Sequence, residues 1–350
     1  MVCVENNWRV ILSNYSSLNL FVDDVPLDKQ HPMYQMIKNG DYAAERDVLL
    51  DWSKGFLDRD GKFCKEFQTS FEPCLWELYL HAYLKEINAQ VDFSYDAPDF
   101  VVEKSGEGVC IEATIAAPPV GEMPPHGFSG KKPPKDFTQF NADSIIRICN
   151  SFTPKHRKLQ TRYSTLPQCQ DKPFVIAIAS FDRPFSHMSG SRSIMAALYG
   201  LYHDEEATLK LGAKEVISYN VDEVVKSENT TIELGYFCSD KYSDISAVIY
   251  SNLATWGKVR ALADNPGANS VYHSFHPNPG SLYPIVKNAM KRDYHEHLSD
   301  GLFVLHNPFA DKPIPSDFFE GERVAQCYVK PDGELEITAP DDFLLMRFLQ

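Results

Sequence analysis

The sequence predicts an α/β protein with a central mixed β-sheet flanked by helices. Three observations predict it. Phe63 to Asn88 is a long run with helical patterning. Two alternating extended segments, Ala97 to Glu103 and Val109 to Ala116, are joined by the turn Ser105-Gly106-Glu107-Gly108. Phe174 to Ala179, FVIAIA, is a continuous apolar run of strand length, which suits a strand buried on both faces. Helix, strand, strand, helix, strand is an order that builds a mixed sheet.

Each element has its local reason. Within the first helix, FEPCLWELYLHAYL has ten apolar or aromatic residues in fourteen, so this helix is expected to be mostly buried. Ala117 to Pro134 is rich in Pro and Gly and reads as a loop. Phe137 to Asn150 is helical by pattern. Thr153-Pro154 reads as an N-cap followed by Pro at the first helical position, opening a second helix to about Tyr163. Beyond Asp182 the pattern predicts a helix at Ser193 to His203. It predicts strands at Ala213 to Tyr219, Thr230 to Phe237, Ile245 to Tyr250 and Leu302 to Leu305. Val324 to Val329 and Glu334 to Ile337 flank Asp332-Gly333, a hairpin turn. The chain therefore divides into an N-terminal segment (1–62), a core (63–185) and a C-terminal α+β extension (186–350). That extension could lengthen the sheet, recognise substrate or build a homodimer interface.

Composition narrows the class. The 43% hydrophobic and 23% charged content is that of an ordinary globular protein. No apolar run reaches the roughly 18 residues that span a bilayer. Met1 to Val10 lacks the pattern of a secretory signal, and the eight cysteines include no C-x-x-C pair. A cytoplasmic chain with reduced cysteines and no membrane partner is the expectation. The net charge of −14 excludes a uniformly basic surface. Yet Ser129 to Tyr163 holds Lys131, Lys132, Lys135, Arg147, Lys155, Arg157, Lys158 and Arg162 against Asp136 and Asp143 alone.

Three acids fall close together in this expected core. Glu77 lies on the apolar first helix, where a carboxylate is costly unless paired or bound to a cation. Asp99 follows Pro98 at the start of a strand. Glu112 sits in the next strand, VCIEATIA, and shares one face with Thr114. Asp99 and Glu112 on neighbouring strands could converge on one point. Oxygen ligands there suit Mg²⁺ or Mn²⁺ together with phosphate oxygens.

The order of Glu77 on a helix, Pro98-Asp99, Glu112-Ala113-Thr114, a basic helix and a buried strand resembles the PD-(D/E)XK nuclease superfamily. The resemblance covers about Phe71 to Asp182. It implies a restriction-endonuclease-like core with Asp99 and Glu112 as metal ligands and Glu77 assisting. One departure stands out: Thr114 occupies the place of the family's Lys. A Thr hydroxyl can position water but carries no charge. Lys158 first, then Lys155, both on the following helix, are candidates to supply that charge. Lys131, Lys132, Lys135, Arg147, Arg157 and Arg162 would contact phosphates.

The resemblance implies a metal-dependent nuclease acting on nucleic acid, DNA before RNA. Two rivals follow. One is the same fold with hydrolysis lost, gripping nucleic acid or a protein partner. The other is a small-molecule metalloenzyme using the C-terminal histidines His273, His276, His295, His297 and His306, of which His273-x-x-His276 has zinc-like spacing. Neither a G-x-x-x-x-G-K-[ST] nor a G-x-G-x-x-G phosphate loop occurs, and Ser180 and Ser189 lack a nucleophile-elbow context.

Overall fold

A computed structural model describes residues 18–122 and 132–350. Four helices lead: α1 (Pro32–Asn39), α2 (Ala43–Ser53), α3 (Phe63–Thr69) and α4 (Phe71–Glu86). The single helix expected from Phe63 to Asn88 is thus two. The break falls at Ser70, whose φ of −140° and ψ of 64° are not helical. Tertiary bonds favour it. The Gln68 side chain is fully buried and donates to the Val22 carbonyl, while accepting from the Asp24 and Val25 N–H groups. That anchors the end of α3 to the incoming chain.

Strands β1 (Gln90–Val91), β2 (Phe100–Lys104) and β3 (Glu107–Ala116) form an antiparallel meander. The β2–β3 turn uses Ser105 and Gly106, both at positive φ, which is the geometry a two-residue hairpin needs. Next come α5 (Phe137–Thr161) and β4 (Phe174–Ser180). Here the expected second helix start at Thr153-Pro154 is corrected, because α5 runs unbroken through Pro154. Cys149, Phe152, His156 and Leu159 are buried on both sides of the proline, so packing on the sheet holds the helix through it. The Thr153 hydroxyl donates to the Cys149 carbonyl at 2.9 Å, a local bond at the turn where proline removes a donor.

The remaining elements are α6 (Arg192–Tyr199), β5 (Leu201–Asp204), α7 (Glu205–Leu211), β6 (Ile217–Asn220), β7 (Glu223–Ser227), β8 (Thr230–Glu233), β9 (Ala247–Ser251), α8 (Trp256–Leu262), β10 (Val271–His276), β11 (Ile285–Met290), β12 (Leu302–His306), β13 (Ala325–Val329), β14 (Leu335–Thr338) and β15 (Met346–Leu349). The helix expected to reach His203 stops at Gly200, which is left-handed at φ 60°, and the chain turns into β5. The strands expected to start at Ala213 and to end at Phe237 are trimmed to β6 and β8.

Among the described residues the main sheet has eight strands in the order β1-β2-β3-β4-β9-β12-β13-β14. β3, β4 and β9 run parallel, and β12 returns antiparallel to β9. Helices cover both faces. Trp76, Phe100, Ile111 and Val175 belong to one apolar cluster; Cys110, Ile145, Ile176 and Tyr250 belong to the other. Trp76 on α4 donates its indole N–H to the Ala177 carbonyl at 3.1 Å, pinning that helix to β4. Four strands of this sheet, β9, β12, β13 and β14, come from residues 186–350. The segment read as an extension therefore completes the central sheet. A second sheet, β11-β10-β15, lies apart from it. Among the described residues no helix is long and apolar enough to cross a membrane, and the cysteines are free thiols.

A buried charge cluster ties β15 to α8. Glu296 is ion-paired with Lys258 and Arg347 and accepts the Tyr294 hydroxyl at 2.6 Å. The Lys258 and Glu296 side chains are 0% exposed. Glu296→Ala would leave two buried cations without their acid. The expected cost is about 3–5 kcal/mol in urea unfolding. A loss below about 1 kcal/mol, the range of surface pairs, would show that the cluster is solvated.

Candidate active site

Four elements bring the acids together: α4, the loop before β2, β3 and α5. Asp99 follows the cis Ala97–Pro98 peptide. Its loop is held from two sides. The Arg59 guanidinium donates to the carbonyls of Tyr95 at 2.6 Å and Pro98 at 3.1 Å, and Gln168 donates to the Ala97 carbonyl at 2.6 Å. Asp99 Oδ2 accepts the Ala113 backbone N–H at 2.7 Å, just past the Phe100–Ile111 pair that ends the β2–β3 ladder. A short β2 thus leaves one β3 donor free, and the Asp99 carboxylate takes it.

Glu112 lies in the middle of β3, on the face that packs under α5. Its side chain is 0% exposed. Oε1 accepts Lys155 Nζ at 2.7 Å and Lys158 Nζ at 2.9 Å. Oε2 is buried with no partner among the described residues. Lys158 also lies 4.8 Å from the centre of the buried Tyr163 ring. Burial first, then the charge of Glu112, pushes the Tyr163 phenol well above its ordinary value. Glu77, half-buried on α4, makes no ion pair or hydrogen bond of its side chain among the described residues.

The charges are unequal in consequence. Burial, with Asp99 next in weight, pushes the Glu77 carboxyl up to about 8, while Arg59 and Lys155 oppose the rise. Burial and then Glu112 push Asp99 up to about 6, against Lys155, the Ala113 N–H and Lys158. Burial also works to raise Glu112, but the charge and hydrogen bonds of Lys155 and Lys158 outweigh it and hold Glu112 below the usual carboxylate value. The cluster therefore holds one firmly ionised acid and two that resist ionisation.

The sign of the pH effect follows. Glu77 binds its proton more tightly in the folded chain than its ordinary value of 4.5. Its contribution to stability is complete below pH 4.5 and is lost as pH rises through about 8. In chelator, the melting temperature is expected to fall between pH 6 and pH 9. Glu77→Gln should flatten that fall and melt higher at pH 9 by about 4 °C or more. Identical pH slopes for the two proteins would mean Glu77 ionises freely.

The sequence-predicted acids Glu77, Asp99 and Glu112 and the lysines Lys155 and Lys158 meet here. Lys155, ranked second from sequence, acts on all three acids; Lys158 is absent from the leading influences on Glu77. Thr114 is half-buried on the Glu112 face, two residues along. Arg147 is half-buried on α5, with Arg157 and Arg162 exposed near its end. By helical spacing, Arg147, Lys155, Lys158 and Arg162 share one face. Lys132 and Lys135 are exposed ahead of α5, whose nineteen residues from Phe137 to Lys155 span about 27 Å. They cannot touch the same phosphate as Lys155. Lys131 lies outside the described residues.

Sequence reasoning missed Arg59, Tyr163 and Gln168. None sits in a recognisable motif; each acts through a backbone carbonyl or a ring contact that only the fold creates. The histidines do not assemble. His273 and His276 occupy β10 three residues apart and so point to opposite faces. His276 is bonded to the Asp342 carbonyl and the Ser274 hydroxyl, and His306 to Gln326. Among the described residues, no three or more His, Cys, Asp or Glu side chains form a ready metal-holding group, the acids of this pocket included. Comparison with protein-family models, curated proteins and solved structures found no match to this chain.

Proposed function

We propose that this chain is a metal-dependent phosphodiesterase that cuts nucleic acid, DNA before RNA, on a restriction-endonuclease-like core. The carrying observation is that Asp99 lies within electrostatic reach of both Glu77 and Glu112, while Lys155 and Lys158 hold Glu112. The order of elements around these residues (helix, antiparallel strands, basic helix, parallel strand) is the order the PD-(D/E)XK resemblance implies.

The donor set fits a hard divalent cation. All three acids offer oxygen, Glu112 Oε2 lacks a partner, and two carboxylates suffice for Mg²⁺ when waters and phosphate oxygens complete its shell. Asp99 and Glu112 would hold Mg²⁺ or Mn²⁺, with Glu77 at its edge. When bound, such an ion polarises the phosphodiester and lowers the pKa of its water. The chain's own residues supply the rest. Lys155 offsets negative charge that develops on the phosphate. Glu77, whose carboxyl keeps its proton up to about 8, can hold the attacking water by a hydrogen bond. Lys155 and Lys158 stand in for the charge that Thr114 lacks.

A binding module without hydrolysis is the second reading. It is favoured by the pairing of both lysines with Glu112. Incubating supercoiled plasmid and single-stranded RNA with Mg²⁺, Mn²⁺ or chelator separates the two. Metal-dependent cleavage that is lost in Asp99→Ala supports the enzyme; tight binding with no cleavage in either metal supports the module. Binding itself should weaken with salt. Replacing Arg162, on the Lys155 face, by Gln should lower the slope of log affinity against log salt by about 1, roughly one per phosphate contact, while Arg157→Gln, off that face, should change it less. An unchanged slope would place the nucleic acid elsewhere.

A further inference from the structure

We propose that the chain has a second ligand site, for a small aromatic anion, on the face of the sheet opposite Glu112. A cavity of about 540 Å³ lies there, between α1, α4, the end of β4, α8 and β15. That volume is in the range of small-molecule pockets, roughly 300–1,000 Å³. Its walls are aromatic: Tyr42, Phe71, Phe181, Phe185, Trp256 and Phe348. Flat rings of this kind bind a planar ring by stacking or by edge contact.

Charge selects the rest of the ligand. Three arginines line the cavity, and two are committed elsewhere. Arg183 is paired with Asp143 and Asp182, and Arg347 with Glu296. Glu72, the acid in the wall, is engaged by His31 at 3.5 Å. Arg260 forms no ion pair among the described residues. Its Nη2 donates to the Ser270 hydroxyl at 2.8 Å, while its Nε is buried without a partner. A second wall residue, His187, also has a buried ring nitrogen, Nε2, without a partner. An uncompensated guanidinium beside aromatic walls is suited to a carboxylate, sulfonate or phosphate carried on a flat ring. The inference does not rest on the nuclease reading, because none of these residues belongs to that site.

The probe is 1-anilinonaphthalene-8-sulfonate, titrated into the full chain and read by quenching of tryptophan fluorescence, since Trp256 is in the wall. One molecule per chain should bind. Arg260→Gln should weaken binding at least ~10-fold, and the neutral analogue N-phenyl-1-naphthylamine should bind at least ~10-fold less tightly, because each removes the charge-assisted contact. Met36→Trp, which fills the cavity, should abolish binding. Circular dichroism checks that each variant is folded; if Arg260→Gln is not, Met36→Trp and the neutral analogue decide. No binding at millimolar probe, several equivalents bound, or an affinity unmoved by both the filling substitution and the loss of probe charge would overturn the proposal.

Discussion

Glu112→Gln is expected to abolish metal-dependent cleavage, by at least ~10³-fold or about 4 kcal/mol of transition-state stabilisation. Two losses combine. The oxygen pair available to a cation loses its negative charge, and Lys155 and Lys158 lose the acid that positions both ammonium groups at 2.7 and 2.9 Å. Nucleic-acid affinity should move the other way. Two freed lysines become available to phosphates, so binding in chelator at low salt should tighten about 10-fold. Opposed signs for cleavage and binding are hard to produce by misfolding. Cleavage persisting at more than a tenth of the native rate would remove Glu112 from the mechanism. Binding lost together with cleavage would point to a damaged fold.

Lys155→Met is expected to cost ~10²–10³-fold in cleavage rate, the range seen when one preorganised charge stabiliser is removed. Lys158→Met should cost about 10-fold, since Lys155 still reaches every acid. The pH profile separates a site role from a structural one. Lys155 holds down the carboxyls of both Glu77 and Asp99, which stand at about 8 and about 6 with it present. Without it, both should protonate at higher pH, and the rising limb of activity should shift to the alkaline side. Lys155→Arg should restore most of the original profile. Equal rate losses for the two lysine variants, with an unmoved profile, would assign them a shared anchoring role only.

Much of this was legible in the sequence, for identifiable reasons. The FVIAIA run, the Ser105-Gly106 turn and the Asp332-Gly333 hairpin carry local signals strong enough to survive folding. Glu77 stood out because a carboxylate is expensive in its apolar helix, and Asp99 and Glu112 because they fall on neighbouring strands in a PD-(D/E)XK-like order. Other features had no local signal. Pro154 argues for a helix start, and only sheet packing on both sides overrides it. Gln68 breaks a helix through bonds made 46 residues back in the chain, to Val22. Arg59 and Gln168 serve the site by gripping carbonyls of a distant loop, which no periodicity reports. β11 is largely exposed and lacks an apolar face, so its strand pairing with β10 was invisible. The order of the two lysines depended on side-chain reach, which helical spacing alone leaves open.

The sheet order has a consequence for how the molecule is made. β4 is buried along all seven residues, yet its outer neighbour is β9, followed by β12 at Leu302–His306. A chain emerging from the ribosome presents the three acids and both lysines early. The strand beside them must then wait with a bare apolar edge until more than sixty further residues have been made. Parallel pairing over such separations is slow, and unpaired edges invite aggregation. Residues 1–185 on their own would therefore carry the proposed site without the strands that cover the β4 edge.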